Sequence, residues 1–193
     1  MMSERQELRR YFRGLRRALS AAEQRAHARA VAQHFFTSGL ALRAQTVGAY
    51  FAADGELDTA PLLQRLLQQH RRVAMPVVRK DRVLEFYRHR RNGALVTNRY
   101  GIPEPAPGAA YVAPISIDVL LMPLVAFDRF GTRLGMGAGY YDRFLGRLPE
   151  GLRPLCVGIA HELQSSLDPL PYDAWDMPLD GVITETGWHP LPE

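Results

Sequence analysis

Apolar side chains recur every three or four positions near the start of the chain, and this spacing predicts two helices. Over residues 4–19 the leucines and aromatics share one face, while arginines occupy the other. Ser20 and Glu23 have the spacing of a capping box, in which each side chain bonds to the backbone amide of the other residue. We therefore expect a second helix from about residue 21 to residue 37, ending near Gly39.

Farther along, short apolar runs alternate with helical segments. Asp58 can cap a helix that has Pro61 in its first turn, and a short helix is expected over 141–148. Buried strands are predicted at residues 46–51, 73–78, 83–87, 117–125, 155–159 and 181–184. The run 117–125 is apolar on both faces, as in the centre of a parallel sheet. The alternation predicts one α/β domain over residues 1–193, a three-layer Rossmann-like sandwich with helices flanking a mainly parallel sheet.

The stretch from residue 92 to residue 114 shows neither the helical nor the strand pattern of apolar residues, and it is rich in proline and glycine. We expect it to form a long irregular loop. In a compact domain such a loop is usually functional or disordered.

Charge and composition narrow the class of protein. The net charge is +4, and nearly all of the basic residues are arginine, whose planar group binds phosphate and carboxylate in bidentate fashion. The basic residues are spread out, and even the run 88–91 is typical of a solvated loop or strand end, so nucleic acid is not the expected partner. No apolar run approaches the roughly 20 residues of a membrane span, and the charged N-terminus does not resemble a secretion signal. With Cys156 as its one cysteine, the chain is expected in the cytoplasm.

The candidate chemistry lies in residues 133–142, which follow a buried strand and lead into a helix. Three glycines at alternate positions allow the backbone to approach an anion, and the helix N-terminus adds positive charge. Arg133 could clamp a phosphate, and Asp142 could hold the magnesium that accompanies a nucleotide. The spacing is neither that of the Rossmann motif GxGxxG nor that of the Walker motif GxxxxGK[ST]. The alternative is a glycine turn needed only for its backbone angles.

The segment from Phe127 to Phe144 resembles the signature of the 5-formyltetrahydrofolate cyclo-ligases, also called methenyltetrahydrofolate synthetases. Other segments resemble that family in the same order along nearly the whole chain, at residues 5–9, 54–59, 100–105 and 173–176. The resemblance implies an ATP- and magnesium-dependent enzyme that converts 5-formyltetrahydrofolate to 5,10-methenyltetrahydrofolate. ATP would phosphorylate the formyl oxygen, a neighbouring folate nitrogen would attack, and phosphate would leave. The expected partners are these two small molecules, with no nucleic acid or membrane, and the chain is expected to be a monomer.

The same resemblance implies residues for ATP and for the metal. Magnesium would be held by Asp142 and Asp176, and the catalytic residues would be Arg133, Tyr140 and Asp142. The family usually has lysine where this chain has Arg5. The ATP-binding set would be Arg5, Arg9, Arg133, Leu134, Gly135, Met136, Gly137, Ala138, Gly139, Tyr140 and Tyr141.

For the folate, the resemblance implies that Glu56 binds the pterin and that three aromatic side chains enclose it. The substrate-binding set would be Phe51, Glu56, Tyr100, Met136, Gly137, Ala138, Gly139 and Tyr140.

Each of these residues also has an ordinary structural interpretation. Arg5 and Arg9 could form a solvated helix face, and Asp142 could cap the next helix. Asp176 and Glu56 could be turn residues, and the aromatics could belong to the core. Two other functions stay open at this stage, a non-catalytic folate- or nucleotide-binding module and an RNA-binding protein.

Several residues are set aside as structural. Asp128 begins a sequence typical of a type I turn, and Cys156 lies in an apolar strand without a partner base. The tryptophans, Trp175 and Trp188, are interpreted as packing residues. No metal-ligand cluster is predicted for the histidines at positions 27, 34, 161 and 189, namely His27, His34, His161 and His189.

Overall fold

The computed structural model describes residues 2–149 and 151–191. Its α-helices are α1 (Glu4–Ala18), α2 (Ala21–Thr37), α3 (Leu40–Arg43), α4 (Ala60–Gln68) and α5 (Tyr140–Leu145). Its strands are β1 (Thr46–Gly48), β2 (Arg72–Val78), β3 (Leu84–His89), β4 (Leu95–Thr97), β5 (Pro103–Pro105), β6 (Tyr111–Val112), β7 (Val119–Pro123), β8 (Ala126–Asp128), β9 (Arg133–Leu134), β10 (Leu155–Ile159), β11 (Ser165–Ser166), β12 (Gly181–Thr184) and β13 (Gly187–Pro190). None of the helices in these residues is long and apolar enough to cross a membrane.

A mixed, mostly parallel sheet forms the centre of the molecule. Its strand order is β13-β12-β10-β7-β1-β2-β3-β6. The strands from β12 to β2 in this order run parallel to one another, whereas β13 and the pair β3 and β6 are antiparallel additions at the two edges. The predicted α/β class and mainly parallel sheet are therefore confirmed.

Strand β7 shows why the central run is apolar on both faces. Val119 and Leu121 pack toward α2 and α4, whereas Leu120 and Met122 pack on the opposite side, toward Phe144 of α5. Alternate residues of a strand point to opposite faces, so a strand covered on both sides is apolar at every position.

The predicted element bounds are largely reproduced, with local differences. The capping box forms, with the Ser20 amide donating to Glu23 over 2.8 Å and the Glu23 amide donating to the Ser20 hydroxyl over 3.3 Å. The first predicted strand ends early, at Gly48, and α4 begins after Thr59, although Asp58 accepts a bond from the Ala60 amide. The helix predicted at 141–148 is α5, which is shorter and begins one residue earlier.

The prediction that residues 92–114 form one irregular loop is wrong. Strands β4 and β5 pair as an antiparallel hairpin, and β6 pairs with β3 at the edge of the main sheet. Prolines 103 and 105 lie in β5, where the hairpin has no further strand beyond it. Proline is tolerated on such edges because its missing N–H interrupts no second ladder. Proline content alone therefore did not distinguish this hairpin from a loop.

A small sheet in the order β11-β8-β9 carries the glycine-rich segment away from β7. Its turn is held by Asp128, which is buried and whose carboxylate accepts bonds from the amides of Phe130, Thr132 and Leu170, each over 2.9 Å. This confirms the structural interpretation of Asp128. The turn brings Arg133 back alongside β8 and aims the following residues at the end of β7.

Candidate active site

A cleft of about 770 Å³ opens beside Pro123, the last residue of the central strand β7. Open α/β sheets bind ligands outside the carboxyl ends of their strands, which is where this cleft lies. Its lining contains most of the residues predicted for the site, namely Arg5, Arg9, Glu56, each residue from Arg133 to Asp142, and Asp176. The structure therefore joins parts of the chain more than 100 residues apart into one concave surface.

The glycine-rich turn, residues 135–139, forms one wall of the cleft. Gly137 and Gly139 have φ angles of 91° and 64°, in the left-handed region that disfavours side chains, whereas Gly135 does not need such an angle. Within the described part of the chain, the amides of residues 136–139 donate no hydrogen bond. Unpaired backbone amides in a turn of this kind are suited to an anion.

Helix α1 presents Arg9 to this turn. Its Nε donates to the Gly135 carbonyl over 2.8 Å, and its guanidinium carbon lies 3.3 Å from the position of a Cβ on Gly137. Burial lowers the pKa of Arg9, and the nearby positive charge of Arg5 lowers it further. Arg9 thus adds a positive charge to the wall that carries the free amides.

Arg5, one turn earlier on α1, is held by acidic partners. Its guanidinium pairs with Asp173 at 3.0 Å and with Asp176 at 2.7 Å, and it also donates to the Pro171 carbonyl. These bonds fasten α1 to the segment 171–176. Both predicted arginines therefore face the cleft from one helix side, but only Arg9 contacts the glycine-rich turn directly.

Arg133 and Asp142 form a buried ion pair under the turn. The Met177 amide also donates to the Asp142 carboxylate over 3.1 Å. Gly139 occupies the position that begins α5, and Asp142 makes no capping bond there. The helix-cap interpretation of Asp142 is therefore wrong, because its carboxylate is committed to Arg133 and Met177.

The cleft offers carboxylates that could hold magnesium. Asp142 and Asp176 both line it, and each uses one oxygen for the contacts just described, Oδ1 in Asp142 and Oδ2 in Asp176. Magnesium is typically bound by one or two carboxylates together with substrate phosphates and water. The two residues fit that pattern beside an anion-binding turn.

Glu56 lies at the back of the cleft in the turn that follows β1. Its Oε2 accepts the Ala53 amide over 3.0 Å, so the turn interpretation holds together with a position in the cleft. Burial raises the pKa of Glu56, while the Ala53 amide and the positive charge of Arg16 oppose that rise. A carboxylate held in this way can still accept hydrogen bonds from a ligand through Oε1.

Arg16 is a component of the site that sequence reasoning missed. It is fully buried, and its Nη1 donates to the carbonyl of Leu124, which lines the cleft, over 2.9 Å. The same guanidinium binds Asp54 at 3.1 Å and lies 4.0 Å from Glu56. The helical pattern of α1 put Arg16 among the polar positions, so only its non-local partners distinguish it from the exposed arginines.

Two tyrosines meet at the mouth of the cleft. The hydroxyls of Tyr100 and Tyr140 are 2.7 Å apart, and Arg99 donates to the Tyr140 hydroxyl over 3.2 Å. Tyr100 extends from the turn of the β4–β5 hairpin and is 53% exposed. Phe51 is elsewhere, packed against the core on the α2 and α4 side with its ring 5.5 Å from that of His89. Among the predicted aromatics, only Tyr140 and Tyr141 belong to the lining itself.

Other cleft residues were not predicted. Trp175 is 70% exposed and lines the cleft, so its assignment as a packing residue is wrong. Trp188 does pack, since its ring covers Gly181. The remaining unpredicted positive charges on the lining are Arg82, Arg143 and Arg147. A signal was present for Trp175, which lies in the family-like segment 173–176.

The residues set aside away from the cleft have mixed outcomes. Cys156 is buried, and burial raises the pKa of its thiol to about 11, consistent with an inert cysteine. The statement that no histidine belongs to a ligand cluster is wrong. His27 and His161 approach each other and Glu185, with ligand atoms within 4.8 Å of one another.

Comparison with known proteins bears on the cleft and on the whole chain. The sequence profile of the 5-formyltetrahydrofolate cyclo-ligase family matches residues 1–185. The 5-formyltetrahydrofolate cyclo-ligase of Escherichia coli K12 is 39% identical over 176 residues, which cover 90% of this chain and 96% of the relative. The enzyme of the same name from Haemophilus influenzae is 35% identical over 183 residues, covering 93% and 97%.

Solved structures agree with these sequence matches. The NMR structure of Aquifex aeolicus 5,10-methenyltetrahydrofolate synthetase superposes with a TM-score of 0.85 at 33% identity, covering 99% of this chain and 94% of that chain. The Mycoplasma pneumoniae 5,10-methenyltetrahydrofolate synthetase gives a TM-score of 0.75 at 26% identity, covering 95% and 99%. The resemblance predicted from the sequence is confirmed. The chain therefore belongs to the 5-formyltetrahydrofolate cyclo-ligase family, whose members are ligases.

Proposed function

We propose that the protein uses ATP and magnesium to convert 5-formyltetrahydrofolate to 5,10-methenyltetrahydrofolate, through an intermediate phosphorylated on the formyl oxygen. The observation that carries the proposal is that one cleft joins the unpaired amides of the glycine-rich turn to Arg9 and Glu56. The amides and guanidinium suit a phosphate, and the carboxylate suits the amino and ring nitrogens of a pterin. Family membership supports the same reaction.

The chemistry explains why a phosphate site and a pterin site should adjoin. A formyl oxygen on an amide-like carbon is a poor leaving group, and phosphorylation converts it into phosphate, a good one. The terminal phosphoryl group of ATP moves to the formyl oxygen and ADP is formed. The neighbouring folate nitrogen then attacks the formyl carbon, and the oxygen departs with the phosphate. The protein contributes mainly position and charge stabilisation.

The ATP side of the proposal assigns a role to each cleft residue. Arg9 and the amides of residues 136–139 bind the phosphates, and Asp142 and Asp176 are the carboxylates that would hold magnesium. The bound metal ion would supply further positive charge at the phosphoryl group. Arg133 orients the Asp142 carboxylate. Arg5 fixes Asp176 and supports the phosphate site through that contact.

The folate side of the proposal uses other residues in and beside the same cleft. Glu56 accepts hydrogen bonds from the pterin, while Tyr140 packs against the ring system with Tyr100 beside it at the mouth. Phe51 lies outside the cleft lining, so its proposed contact depends on the ligand extending toward the α4 side of the molecule.

The proposal is tested by mixing the pure protein with ATP, magnesium and 5-formyltetrahydrofolate and following absorption by the methenyl product. We expect product and ADP in equal amounts, and no product when ATP, magnesium or the folate is omitted. Binding of both substrates without turnover would instead identify a non-catalytic binding module. Product formed without ATP consumption would exclude the phosphorylated intermediate.

Three broader predictions belong to the same proposal. A Rossmann-like three-layer description is supported by α2 and α4 on one sheet face and α5 on the other. The cleft is lined by residues of one chain, which fits a monomer, and we propose that it works in the cytoplasm on small molecules. Scattering of the pure protein in solution tests the monomer, and fractionation of cells tests the location.

A further inference from the structure

Three potential metal ligands converge on the side of the molecule where α2 crosses the ends of the central strands. His27 lies on α2, His161 follows β10, and Glu185 follows β12. The Nδ1 atoms of His27 and His161 are 3.0 Å apart, and Oε1 of Glu185 is 3.5 Å from the same Nδ1 of His27. None of these residues lines the cleft, so the group is separate from the proposed ATP and folate site.

The atoms that converge are the ones left free by other contacts. Oε2 of Glu185 accepts the Glu162 amide over 3.0 Å, which leaves Oε1 facing His27. Nε2 of His161 is buried and makes no hydrogen bond to the described residues. A proton on Nε2 leaves the Nδ1 lone pair of His161 directed at His27.

A hydrogen bond between the two histidines accounts for only part of this arrangement. Nδ1 of His27 has either one proton or one lone pair, so it makes one well-directed hydrogen bond, to His161 or to the carboxylate. A cation between the three atoms would satisfy all of them. With zinc–nitrogen bonds of about 2.0–2.1 Å, adjacent ligands of a tetrahedral site lie roughly 3.3 Å apart. The two separations that involve His27, 3.0 and 3.5 Å, fall on either side of that value, and all three ligand atoms lie within 4.8 Å of one another.

The ligand types and their burial also fit a transition metal. Two imidazoles and one carboxylate suit zinc and similar divalent ions, whereas magnesium prefers oxygen ligands alone. His161 is fully buried. The side chains of His27 and Glu185 keep 20% and 18% of their surface exposed, which leaves an entry path.

We propose that His27, His161 and Glu185 form a second metal site, which binds a zinc-class divalent cation through the two Nδ1 atoms and Oε1. A water molecule would occupy the fourth position. The ion would join α2 to the carboxyl ends of β10 and β12. Gln164, in the turn after His161, donates to the carbonyls of Leu124 and Val125. Leu124 lines the cleft, so the ion would stabilise the scaffold behind the active site without touching the substrates.

The test uses the full metal-free chain without nucleotide, titrated with cobalt(II) as a spectroscopic substitute for zinc. We expect one equivalent to bind with the visible absorption of four-coordinate cobalt, and zinc to displace it. A large excess of magnesium should leave the signal unchanged. Saturation with zinc should raise the melting temperature by about 5 °C, because the ion binds the folded chain and not the unfolded one.

Variants locate the ion. His27→Gln and Glu185→Gln, at partly exposed positions, should each weaken cobalt binding by at least about 100-fold. His161→Asn should do the same, although its burial makes this variant the least stable. His70→Asn is the matched control, because His70 is exposed and Asn tolerates its positive φ of 57°.

The outcomes separate the two interpretations of the cluster. Loss of cobalt binding in His27→Gln with retention in His70→Asn supports the site. Equal binding in the two variants, or no binding by the parent chain, overturns it and leaves a hydrogen-bonded histidine pair. Because no substrate is present, neither result depends on the proposed ligase activity.

Discussion

The cleft has two ends that are built differently. The cleft floor contains three charged side chains with little exposure, Glu56, Arg133 and Asp142. Arg16 and Asp54 lie outside the lining and support this floor, because Arg16 contacts Asp54, Glu56 and the Leu124 carbonyl. The cleft mouth consists of side chains that bond to one another near solvent, namely Arg99, Tyr100 and Tyr140. The charged groups of the floor and of its support also make hydrogen bonds to backbone amides and carbonyls. The contacts described for the mouth join one side chain to another.

This difference indicates which part of the site is preorganised before a ligand binds. Groups fixed by backbone contacts keep their geometry, and such preorganisation is what phosphoryl transfer requires. Arg99 and Tyr100 are exposed and can change rotamer at little cost, so the mouth can adjust to a bulky folate. Substitutions in the floor should therefore affect catalysis and stability strongly, and substitutions in the mouth should affect substrate affinity weakly.

The largest expected effect comes from Asp142→Asn in the floor. The variant removes a negative charge that pairs with buried Arg133 and that is proposed to hold magnesium. We expect turnover to fall by at least about 10³-fold, since electrostatic contacts to the transferring group are worth several kcal/mol. The measurement is formation of the methenyl product at saturating ATP and magnesium.

Asp168→Asn is the control for this change, because Asp168 is exposed and outside the cleft. Circular dichroism checks that both variants fold. Activity of Asp142→Asn within a factor of ten of the parent would remove Asp142 from the proposed metal site.

Arg16→Met should have the next largest effect, and on stability. The substitution keeps much of the volume but removes one of the two donors to the Leu124 carbonyl and one of the three arginine partners of Asp54. Losing these hydrogen bonds to a buried charged group costs about 1.5–3 kcal/mol. Denaturant unfolding measures the loss, and Arg10→Met, at an exposed position on the same helix, should change the free energy of unfolding by less than about 0.5 kcal/mol. Equal stability of the two variants would show that Arg16 is not an anchor.

Arg16 also shows what the sequence could and could not predict. The cleft residues on contiguous motifs, such as 133–142, were predicted because their spacing and their family resemblance are local features of the chain. Arg16 has the same helical pattern as its exposed neighbours, and its partners lie 38 and 108 residues away. The same reason explains the missed contact between His27 and His161, which are 134 residues apart. Contacts of that kind become visible only when the strand order is known.

For the fold as well, only features with a local sequence pattern were predictable. Apolar periodicity predicted the buried strands and amphipathic helices, because burial on one or two faces imposes it. It did not predict the β4–β5 hairpin, whose strand β4 is exposed along its whole length and therefore has no buried face to produce a pattern. Edge elements with little burial are where hydrophobic patterning carries least information.

Glu56→Gln should have an intermediate effect, which weakens the interaction with the folate and raises the stability of the protein. Loss of the carboxylate should raise the KM for the folate by about tenfold, the value of one charged hydrogen bond. Stability should move the other way at neutral pH. Burial raises the pKa of Glu56 above its ordinary 4.5, so the folded state disfavours the ionised form. The neutral variant avoids that cost and should melt at a higher temperature.

The pH dependence of stability tests whether the variant is the more stable protein at neutral pH. Below about pH 4.5 Glu56 is protonated in both states, so parent and variant should have the same relative stability. As the pH rises above that value, the parent should lose stability relative to Glu56→Gln until the folded-state carboxyl is fully ionised. Glu7→Gln, at an exposed position on α1, should show no such divergence. A variant less stable than the parent at neutral pH would contradict the assigned direction.

The smallest expected effect is that of Tyr100→Phe in the mouth. The change removes the hydroxyl that lies 2.7 Å from Tyr140 but keeps the ring for packing. Because the pair is near solvent and makes no backbone contact through these hydroxyls, we expect the KM for the folate to rise only two- to fivefold, about 0.5–1 kcal/mol, with kcat and melting temperature unchanged. Tyr111→Phe is the control, since Tyr111 is similarly exposed and outside the cleft. A large fall in kcat for Tyr100→Phe would mean that the mouth is as preorganised as the floor, and the contrast between the two ends would fail.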